Sequence, residues 1–302
     1  MYNRQIVTFI QSVDCGSFTK AAEALYTTTA SVMKQINALE SRVGTPLFKR
    51  TPKGLIITAA GASLYKDALS IIQSSEEAID RARVLAGNQQ ITLHVGTSIL
   101  NPCHAFIDVW RQIEQKYPHF KLQIVPFSDT SSGIEAALDK LGREIDFVVG
   151  TRRSSTWRSL CNFFPLGEYP VTCIVPQKHR LASKSILKLP DLYGENLMIG
   201  NDGDMDSVHS IFQYLEENHP KIKVHHLKSY DIDTFNTCVQ TGYLLLAVDC
   251  WANAHPSVVN IPILWPYTTQ YGILYSKVIP FKVKKLLEVL EAERETWVLQ
   301  KA

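Results

Sequence analysis

The sequence has none of the residue patterns that mark the common catalytic sites. It contains no G-x-S-x-G nucleophile turn, no H-E-x-x-H metal helix, no phosphate-binding P-loop and no dinucleotide-binding glycine motif after a strand. Its six cysteines include no C-x-x-C pair and have no Cys/His spacing typical of a metal site. We therefore expect a protein that is not an enzyme and that has no catalytic residues, no cofactor and no metal ion.

Long apolar runs are also lacking, although 45% of the residues are hydrophobic. No stretch approaches the roughly 20 apolar residues of a membrane-spanning helix. The N-terminus has neither the basic region nor the apolar run of a secretory signal peptide. Because cysteines without a pairing pattern are usual in reduced compartments, we expect a cytoplasmic protein with no membrane partner. Cys103, near a predicted helix start, is a candidate redox thiol, although a small core residue is the alternative.

Positive charge is concentrated at the start of the chain. Residues 1–58 contain seven Lys/Arg and three Asp/Glu, so this segment carries a formal charge of +4, and the rest carries −2 of the total of +2. A small basic domain joined to a larger, slightly acidic part is typical of a DNA-binding domain that is attached to a sensor domain. At 302 residues the chain is long enough for two or three domains.

The basic segment has the spacing of a helix-turn-helix. We predict a short helix over 18–25 and a second helix over 29–42. The apolar residues of the second helix recur at intervals of 4, 3 and 4, which predicts one buried face. They are Val32, Ile36, Leu39 and Val43. The other face, near the helix start, is small, polar and cationic, as a helix in the major groove of DNA requires. Its predicted DNA contacts are Thr28, Thr29, Ser31, Lys34 and Gln35.

A basic hairpin is predicted after the second helix. Thr51-Pro52-Lys53-Gly54 fits a type I turn between two apolar segments. We expect a small wing with Arg50 and Lys53 at its tip, where they meet phosphates or a minor groove. The alternative is a plain helical bundle with a basic surface, which does not explain why periodicity, turn and basic tip agree.

Four motifs in the first 61 residues carry a family resemblance. They are Gly16-Ser17-Phe18-Thr19-x-Ala21-Ala22-x-x-Leu25, Gln35-Ile36-x-x-Leu39-Glu40, Gly44-x-Pro46-Leu47-Phe48-x-Arg50 and Thr58-x-x-Gly61. Together they resemble the LysR-type transcriptional regulators. The family usually has Ser-Gln-Pro-Ala at the start of the recognition helix, where this chain has Thr28-Thr29-Ala30-Ser31, and Met33 replaces a later Ser. The scaffold is kept while the base-reading surface is altered.

The resemblance implies a fold, a domain order and partners. The expected fold is α/β, with an N-terminal winged helix-turn-helix (1–58), a long linker helix and hinge (59–89), and a two-lobed effector domain (90–302) that resembles periplasmic binding proteins. Lobe I covers about 90–162 and 268–302, and lobe II about 163–267. The implied partners are double-stranded DNA, a small-molecule effector and further copies of the chain in a dimer or tetramer.

The predicted linker helix has a narrow stripe of apolar and small residues. They are Leu64, Ala68, Ile71, Ser75, Ile79, Ala82 and Ala86, and they step by 4, 3, 4, 4, 3 and 4. Such a stripe fits a helix that pairs with a copy of itself, and the alternative is a helix packed on its own domain. The resemblance favours a dimerisation helix, with a hinge at Gly87-Asn88-Gln89-Gln90.

Beyond residue 90, predicted strands and helices alternate, which implies a parallel sheet with right-handed crossovers. The first set has strands at 91–96, 121–127 and 146–150, a helix that ends at 117 and a helix at 131–143. The second set has strands at 171–175, 197–199, 224–227 and 243–248, and helices at 207–218 and 232–241. A return strand at 272–275 and a helix from 281 to about 300 complete the pattern.

Polar residues that follow the predicted strands are candidate effector contacts, because ligands of such sheets bind beyond the carboxyl ends of the strands. They are Thr97, Ser98, Asn101, Ser128, Thr130, Thr151, Arg152, Asn201 and Asp202. Thr97 and Ser98 are expected to combine hydroxyl groups with free N–H groups of a helix start and to anchor an oxygen-bearing ligand. For each residue, an ordinary cap or turn is the alternative.

The sequence thus predicts a sequence-specific DNA-binding regulator whose oligomer is modulated by a small molecule between the lobes. One alternative is a constitutive DNA-binding oligomer, in which the lobes serve assembly alone. A second is a cytoplasmic small-molecule-binding protein or an enzyme built on the lobes, which the basic wing disfavours.

Overall fold

Helix caps divide the first 89 residues into the predicted elements. The computed structural model describes residues 3–51, 54–86, 90–151, 160–200, 208–227 and 230–295, which belong to two units, Met1–Gln89 and Gln90–Ala302. The first unit contains α1 (Arg4–Cys15), α2 (Phe18–Ala24), α3 (Thr29–Val43), β1 (Phe48–Thr51), β2 (Gly54–Ile57) and α4 (Ala59–Leu85). The winged helix-turn-helix and the long helix are therefore confirmed.

Local chemistry explains where these helices begin and end. The Ser17 side chain accepts a hydrogen bond from the Lys20 N–H, and the Thr28 side chain accepts one from the Ser31 N–H, so each satisfies an unpaired donor of the first turn. Gly16 ends α1 with φ +58°, a left-handed conformation that favours glycine. The turn between the recognition helix α3 and its neighbour α2 is thus set by the chain itself.

The core of the first unit joins the three helices to the wing. Phe9, Val32, Ile36 and Leu47 are buried there. Val43 was predicted to belong to this face but is 42% exposed, because it is the last residue of α3 and lies beyond the core. A carboxylate oxygen of Glu40, on α3, accepts hydrogen bonds from the N–H groups of Leu47 (2.7 Å) and Phe48 (3.1 Å) and so fixes the wing to the recognition helix.

The long helix α4 begins on this core and continues past it. Ala68 is almost fully buried, and Leu64 and Tyr65 also pack against the core. Farther along, Ile71 is 47% exposed although it lies on the predicted stripe. The stripe therefore includes an apolar side chain that the described residues of one chain leave open to water.

The second unit is a mixed sheet with helices. It contains β3 (Ile91–Thr97), α5 (His104–Ile113), β4 (Phe120–Pro126), α6 (Ser131–Asp139), β5 (Phe147–Thr151), β6 (Cys161–Pro176), β7 (Asn196–Ile199), α7 (Val208–Asn218), β8 (Lys223–His226), α8 (Ile232–Thr241), β9 (Leu244–Val248), β10 (Val258–Pro262), β11 (Thr268–Ser276) and α9 (Phe281–Ala292). Short 3-10 helices span Leu189–Leu192 and Asp249–Trp251.

The strand order divides this sheet into two lobes. It runs β4-β3-β5-β11-β6-β9-β7-β8, with β10 paired to β6. The strands β4, β3 and β5 are parallel to one another, and so are β8, β7 and β9. The two sets are joined through β11 and β6, which run antiparallel to their neighbours. The expected two-lobed α/β architecture is confirmed, and the carboxyl ends of β3, β4 and β5 share one edge of lobe I.

Several element boundaries differ from the prediction. The helices α5 and α6 end at Ile113 and Asp139, four residues before their predicted ends. The strand β6 begins ten residues earlier than predicted, because its prolines and glycine argue against a strand in sequence. Opposite them, the ladder to β11 shifts register between Tyr271 and Gly272. The strand β10 was missed entirely.

A buried carboxylate fixes the C-terminal helix to lobe I. Asp146 is fully buried, and its Oδ2 accepts a hydrogen bond from the His94 N–H at 2.7 Å. The Lys282 ammonium, in the first turn of α9, lies 2.9 Å from the same oxygen. These contacts join α9 to β3 and to the residue before β5, which precede Lys282 by more than 130 residues in the sequence.

Candidate DNA-binding and effector sites

The start of α3 presents the polar residues that the sequence predicted. Thr28 and Lys34 are exposed, and Thr29 and Ser31 are half-buried. Lys34 follows the first turn and carries a positive charge on the open side of the helix. The arrangement offers hydroxyl and ammonium groups to a partner rich in hydrogen-bond acceptors and negative charge, as a DNA groove is.

Gln35 has an internal role that the sequence did not reveal. Its Oε1 accepts a hydrogen bond from the Thr8 hydroxyl at 2.8 Å, and its Nε2 donates to the Ser31 hydroxyl at 3.4 Å. Thr8 is buried on α1. The Gln35 amide therefore links the recognition helix to α1, and its predicted contact with bases stays a prediction.

The wing is a two-stranded antiparallel hairpin. Arg50 lies in β1 and pairs with Leu55 of β2 through the backbone. The Thr51 hydroxyl donates to the Gly54 carbonyl at 2.9 Å, which closes the turn. Lys53 lies outside the described residues, as does the Arg50 side chain.

Two exposed residues near these elements were missed by the sequence reasoning. Tyr26 lies in the turn before α3 with φ +50° and is 97% exposed. A left-handed, exposed aromatic residue is uncommon, and the three-residue break at this turn was its only signal in the sequence. Lys49, exposed on β1, adds a positive charge to the wing.

A buried carboxylate organises the candidate effector site of lobe I. Asp129 follows β4, and its Oδ1 accepts hydrogen bonds from the Ser98 hydroxyl at 2.5 Å and the Asn101 side-chain amide at 3.3 Å. Its Oδ2 accepts one from the Leu100 N–H at 3.1 Å. Asp129 is only 7% exposed, so these bonds lie out of water. The structure thus brings Ser98 and Asn101 together around Asp129, which also follows a predicted strand.

The expectation of free helix N–H groups beside Thr97 and Ser98 is wrong. The helix α5 begins at His104, so a loop separates it from β3. Pro102 disfavours a helical conformation at the residue before it, which explains the delayed start. The Thr97 hydroxyl lies in this loop's own network, where it accepts from the Cys103 N–H and donates to the Asn101 carbonyl, each at 3.3 Å.

The remaining candidate effector contacts of lobe I lie at the N-terminal cap of α6 and at the buried end of β5. Thr130 caps α6 by accepting a hydrogen bond from the Gly133 N–H at 3.2 Å, and the Ser128 hydroxyl lies 3.2 Å from the Thr130 hydroxyl. A Cβ at position 133 would lie 2.5 Å from the Ser128 carbonyl oxygen, so glycine lets this loop pack on α6. Thr151 is buried at the end of β5. Arg152, Asn201 and Asp202 lie outside the described residues.

Lobe II contacts the same loop through a tryptophan. The Trp251 indole N–H donates a hydrogen bond to the Leu100 carbonyl at 2.8 Å, and both groups are buried. Tyr230 packs on the indole with ring centroids 4.9 Å apart, and its hydroxyl donates to the Leu246 carbonyl. Trp251 follows β9, so the rule that selected residues after the other parallel strands would have found it.

The cysteines show no reactive arrangement among the described residues. None of the six forms a disulfide bond, and no group of three His, Cys, Asp or Glu side chains in the described parts of the chain is placed to hold a metal ion. Burial raises the pKa of Cys238 to about 12, and burial together with the Asp249 charge raises the pKa of Cys250 to about 12. These thiols stay protonated near neutral pH and are poor nucleophiles. Among the helices of these described residues, none combines the length and the apolar composition of a membrane span.

Family models match both units. Residues 3–62 match the bacterial regulatory helix-turn-helix protein, lysR family, and residues 86–294 match the LysR substrate binding domain. The chain belongs to the LysR family. It is thus a transcriptional regulator with a DNA-binding helix-turn-helix and an effector-binding domain, and the LysR family is regulatory rather than enzymatic.

Individual relatives agree with the family. YwqM of Bacillus subtilis (strain 168), an uncharacterized HTH-type transcriptional regulator, is 27% identical over 246 residues, which cover 79% of each chain. The Hca operon transcriptional activator HcaR of Escherichia coli (strain K12) is 28% identical over 198 residues. That alignment covers 65% of this chain and 64% of HcaR, slightly less than two thirds of its length.

A solved structure shows the same fold over nearly the whole chain. The crystal structure of CbnR, a LysR family transcriptional regulator, superposes with a TM-score of 0.66 and covers 97% of this chain and 99% of that chain. The sequence identity is 17%, so the likeness concerns the fold alone.

Proposed function

We propose that this LysR-family protein binds specific DNA sites as a homo-oligomer in the cytoplasm and that a small molecule between the lobes of its C-terminal unit modulates the oligomer. The observation that supports the DNA-binding part is the start of α3. The exposed Lys34 ammonium and nearby threonine and serine hydroxyl groups lie on one side of this helix. Three buried apolar residues, Val32, Ile36 and Leu39, pack on its other side. This helix is held to the wing through Glu40 and to α1 through Gln35.

In this proposal, one set of residues contacts the DNA bases and another set contacts the DNA backbone. Thr28, Thr29, Ser31, Lys34 and Gln35 face the major groove in this proposal, and Arg50 and Lys53 meet the phosphates beside the wing. Selection of bound sequences from a random DNA pool, followed by competition with scrambled DNA, tests it. Lys34→Ala should reduce the preference for the selected DNA, whereas Lys66→Ala, which removes an exposed charge on α4, should leave that preference unchanged.

The effector-binding part is supported by the contact between the lobes. The loop after β3 carries Thr97, Ser98 and Asn101 and receives the Trp251 indole from lobe II. A ligand that touches both sides favours one arrangement of the lobes only by its differential affinity, and a coupling of about 1–3 kcal/mol is typical. Ser128, Thr130, Thr151, Arg152, Asn201 and Asp202 remain the further proposed contacts.

Thermal unfolding of the protein with a panel of metabolites identifies the effector. A compound that raises Tm should also change the affinity for the selected DNA, and Thr97→Val should abolish that change while basal DNA binding stays. If no compound alters DNA binding, the protein is a constitutive DNA-binding oligomer.

The proposed oligomer forms through α4. Ile71 is exposed on this helix, and the Ser75 hydroxyl is buried and finds no hydrogen-bond partner among the described residues. A second copy of the helix would cover the exposed Ile71 side chain, whereas the Ser75 hydroxyl is already buried within the single chain. A dimer or a tetramer is consistent with this surface, and light scattering of the full chain distinguishes the two.

A further inference from the structure

The loop after β3 already holds a carboxylate, and that carboxylate belongs to the chain. Asp129 takes a hydroxyl, a backbone N–H and a side-chain amide from residues 98–101, which is a donor set that would suit the carboxylate of a small acid. We propose that Asp129 is an internal ligand that closes this donor set to acidic effectors. The proposal rests on the effector cleft proposed above and adds a chemical class that the cleft rejects.

Burial and charge both support this assignment. Asp129 and Asn101 are buried, so a second carboxylate finds no space beside the first. Two carboxylates that share one site repel each other, and one of them must then take up a proton. Among the residues that the structure describes, the hydrogen-bond donors to Asp129 are a hydroxyl, a backbone N–H and a side-chain amide, and none of them is a Lys or Arg side chain.

The placement of Asp129 does not depend on an effector. Thr130, the next residue, caps α6, and Gly133 lets the Ser128 carbonyl pack against the same helix. The helix α6 therefore fixes the position of the loop that carries the Asp129 carboxylate. The loop after β3, which donates the hydrogen bonds to Asp129, is held by the hydrogen bond from the Trp251 indole N–H to the Leu100 carbonyl.

Leu100 connects the two halves of this arrangement. Its N–H donates to Asp129 within lobe I, and its carbonyl accepts from Trp251 of lobe II. A change at the carboxylate is therefore transmitted through a single peptide segment to the contact between the lobes. Asp129 thus determines which ligands fit and lies where ligand binding would be sensed.

Removal of the Asp129 carboxylate should convert the loop into a binding site for small acids. Asp129→Ala leaves the three donors around a space of about the size of formate, and Asp129→Gly leaves room for acetate. We expect Tm of the Ala variant to rise saturably with sodium formate, by about 3 °C relative to sodium chloride at equal ionic strength. A shift of this size corresponds to roughly a fivefold recovery of the folding equilibrium in a domain of this length.

Size selectivity separates an occupied site from a general salt effect. The Gly variant should respond to acetate as well as to formate, whereas the Ala variant should respond to formate alone. Asp129→Asn, which fills the space with an amide, should respond to neither. The wild-type protein and Glu135→Ala, which removes an exposed carboxylate of α6, should show the same Tm in formate, acetate and chloride.

Three results would overturn the proposal. One is an equal response of the wild-type protein and the Ala variant to formate. Another is the lack of any response beyond chloride in both the Ala and Gly variants. The third is that the Ala and Gly variants both stay unfolded in every salt, as judged by circular dichroism. The donors would then form no site without Asp129. All measurements are made without DNA, so failure here with intact wild-type DNA binding would leave the proposed regulator in place.

Discussion

Replacing Trp251 by Phe tests whether the indole holds the two lobes together. The ring contacts of Trp251 with Tyr230 and Phe235, at 4.9 and 6.2 Å between centroids, are largely retained by a phenyl ring. The hydrogen bond to the Leu100 carbonyl is lost, and a buried carbonyl without a donor costs about 1–3 kcal/mol. In a domain of this length, each kcal/mol lowers Tm by roughly 3 °C.

Hydrogen exchange reports on the same contact at one residue. If the indole bond stabilises the closed loop by about 1.4 kcal/mol, its removal should raise the exchange rate of the Leu100 N–H about tenfold. Because this N–H donates to Asp129, its exchange follows the opening of the loop directly.

The chain offers a matched control for this substitution. The Trp265 indole donates to the Val171 carbonyl at 2.9 Å, and both residues belong to lobe II. Trp265→Phe therefore removes the same kind of hydrogen bond inside one lobe. Because this bond is only part-buried, we expect its loss to lower Tm by less than Trp251→Phe does, while the Leu100 exchange rate stays unchanged. Equal acceleration of Leu100 exchange in both variants would refute the interpretation of Trp251 as a link between the lobes.

Three further predictions test other parts of the account. Arg50→Ala should weaken binding to selected and scrambled DNA by the same factor and lower the slope of log affinity against log salt by about one, as loss of a phosphate contact does; a selective loss on one DNA would contradict this. Ile71→Asp combined with Ile79→Asp should yield smaller assemblies by light scattering, because buried unpaired charge disfavours the helix pair; an unchanged assembly would remove α4 from the interface. Asp146→Asn should destabilise the protein by about 3 kcal/mol in denaturant titrations, because it leaves the Lys282 ammonium without its 2.9 Å partner. Asp108→Asn, which breaks an exposed pair with Arg111, should cost at most about 1 kcal/mol, and an equal loss in the two variants would be inconsistent with the buried pair.

The helix-turn-helix could be predicted because its determinants are local. Ser17 and Thr28 cap the helices that follow them, and Gly16 ends the helix before it, all within a few residues of the boundaries that they set. The apolar spacing of α3 correctly selected Val32, Ile36 and Leu39 as buried. Val43 followed the same spacing and is exposed, because periodicity does not show where the neighbouring core ends.

The candidate effector site was only partly predictable, because its bonds join distant segments. Ser98 and Asn101 were selected by their place after a strand, but their partner Asp129 lies about 30 residues away, and the sequence does not show that its carboxylate turns inward. The Trp251 bond spans 151 residues. The link between Thr8 and Gln35 is likewise a contact between helices, so Gln35 looked from the sequence like a surface residue alone.

Competition binding of the full chain to selected and scrambled DNA tests the central claim most directly. The measurement gives the ratio of the two affinities at physiological salt, and specific DNA-binding proteins typically reach at least about a thousandfold preference. We expect a preference of that order for the wild-type protein and a much smaller one for Lys34→Ala. Equal affinity of the wild-type protein for both DNAs, at every salt concentration, would contradict the proposal that this chain reads a specific sequence through α3.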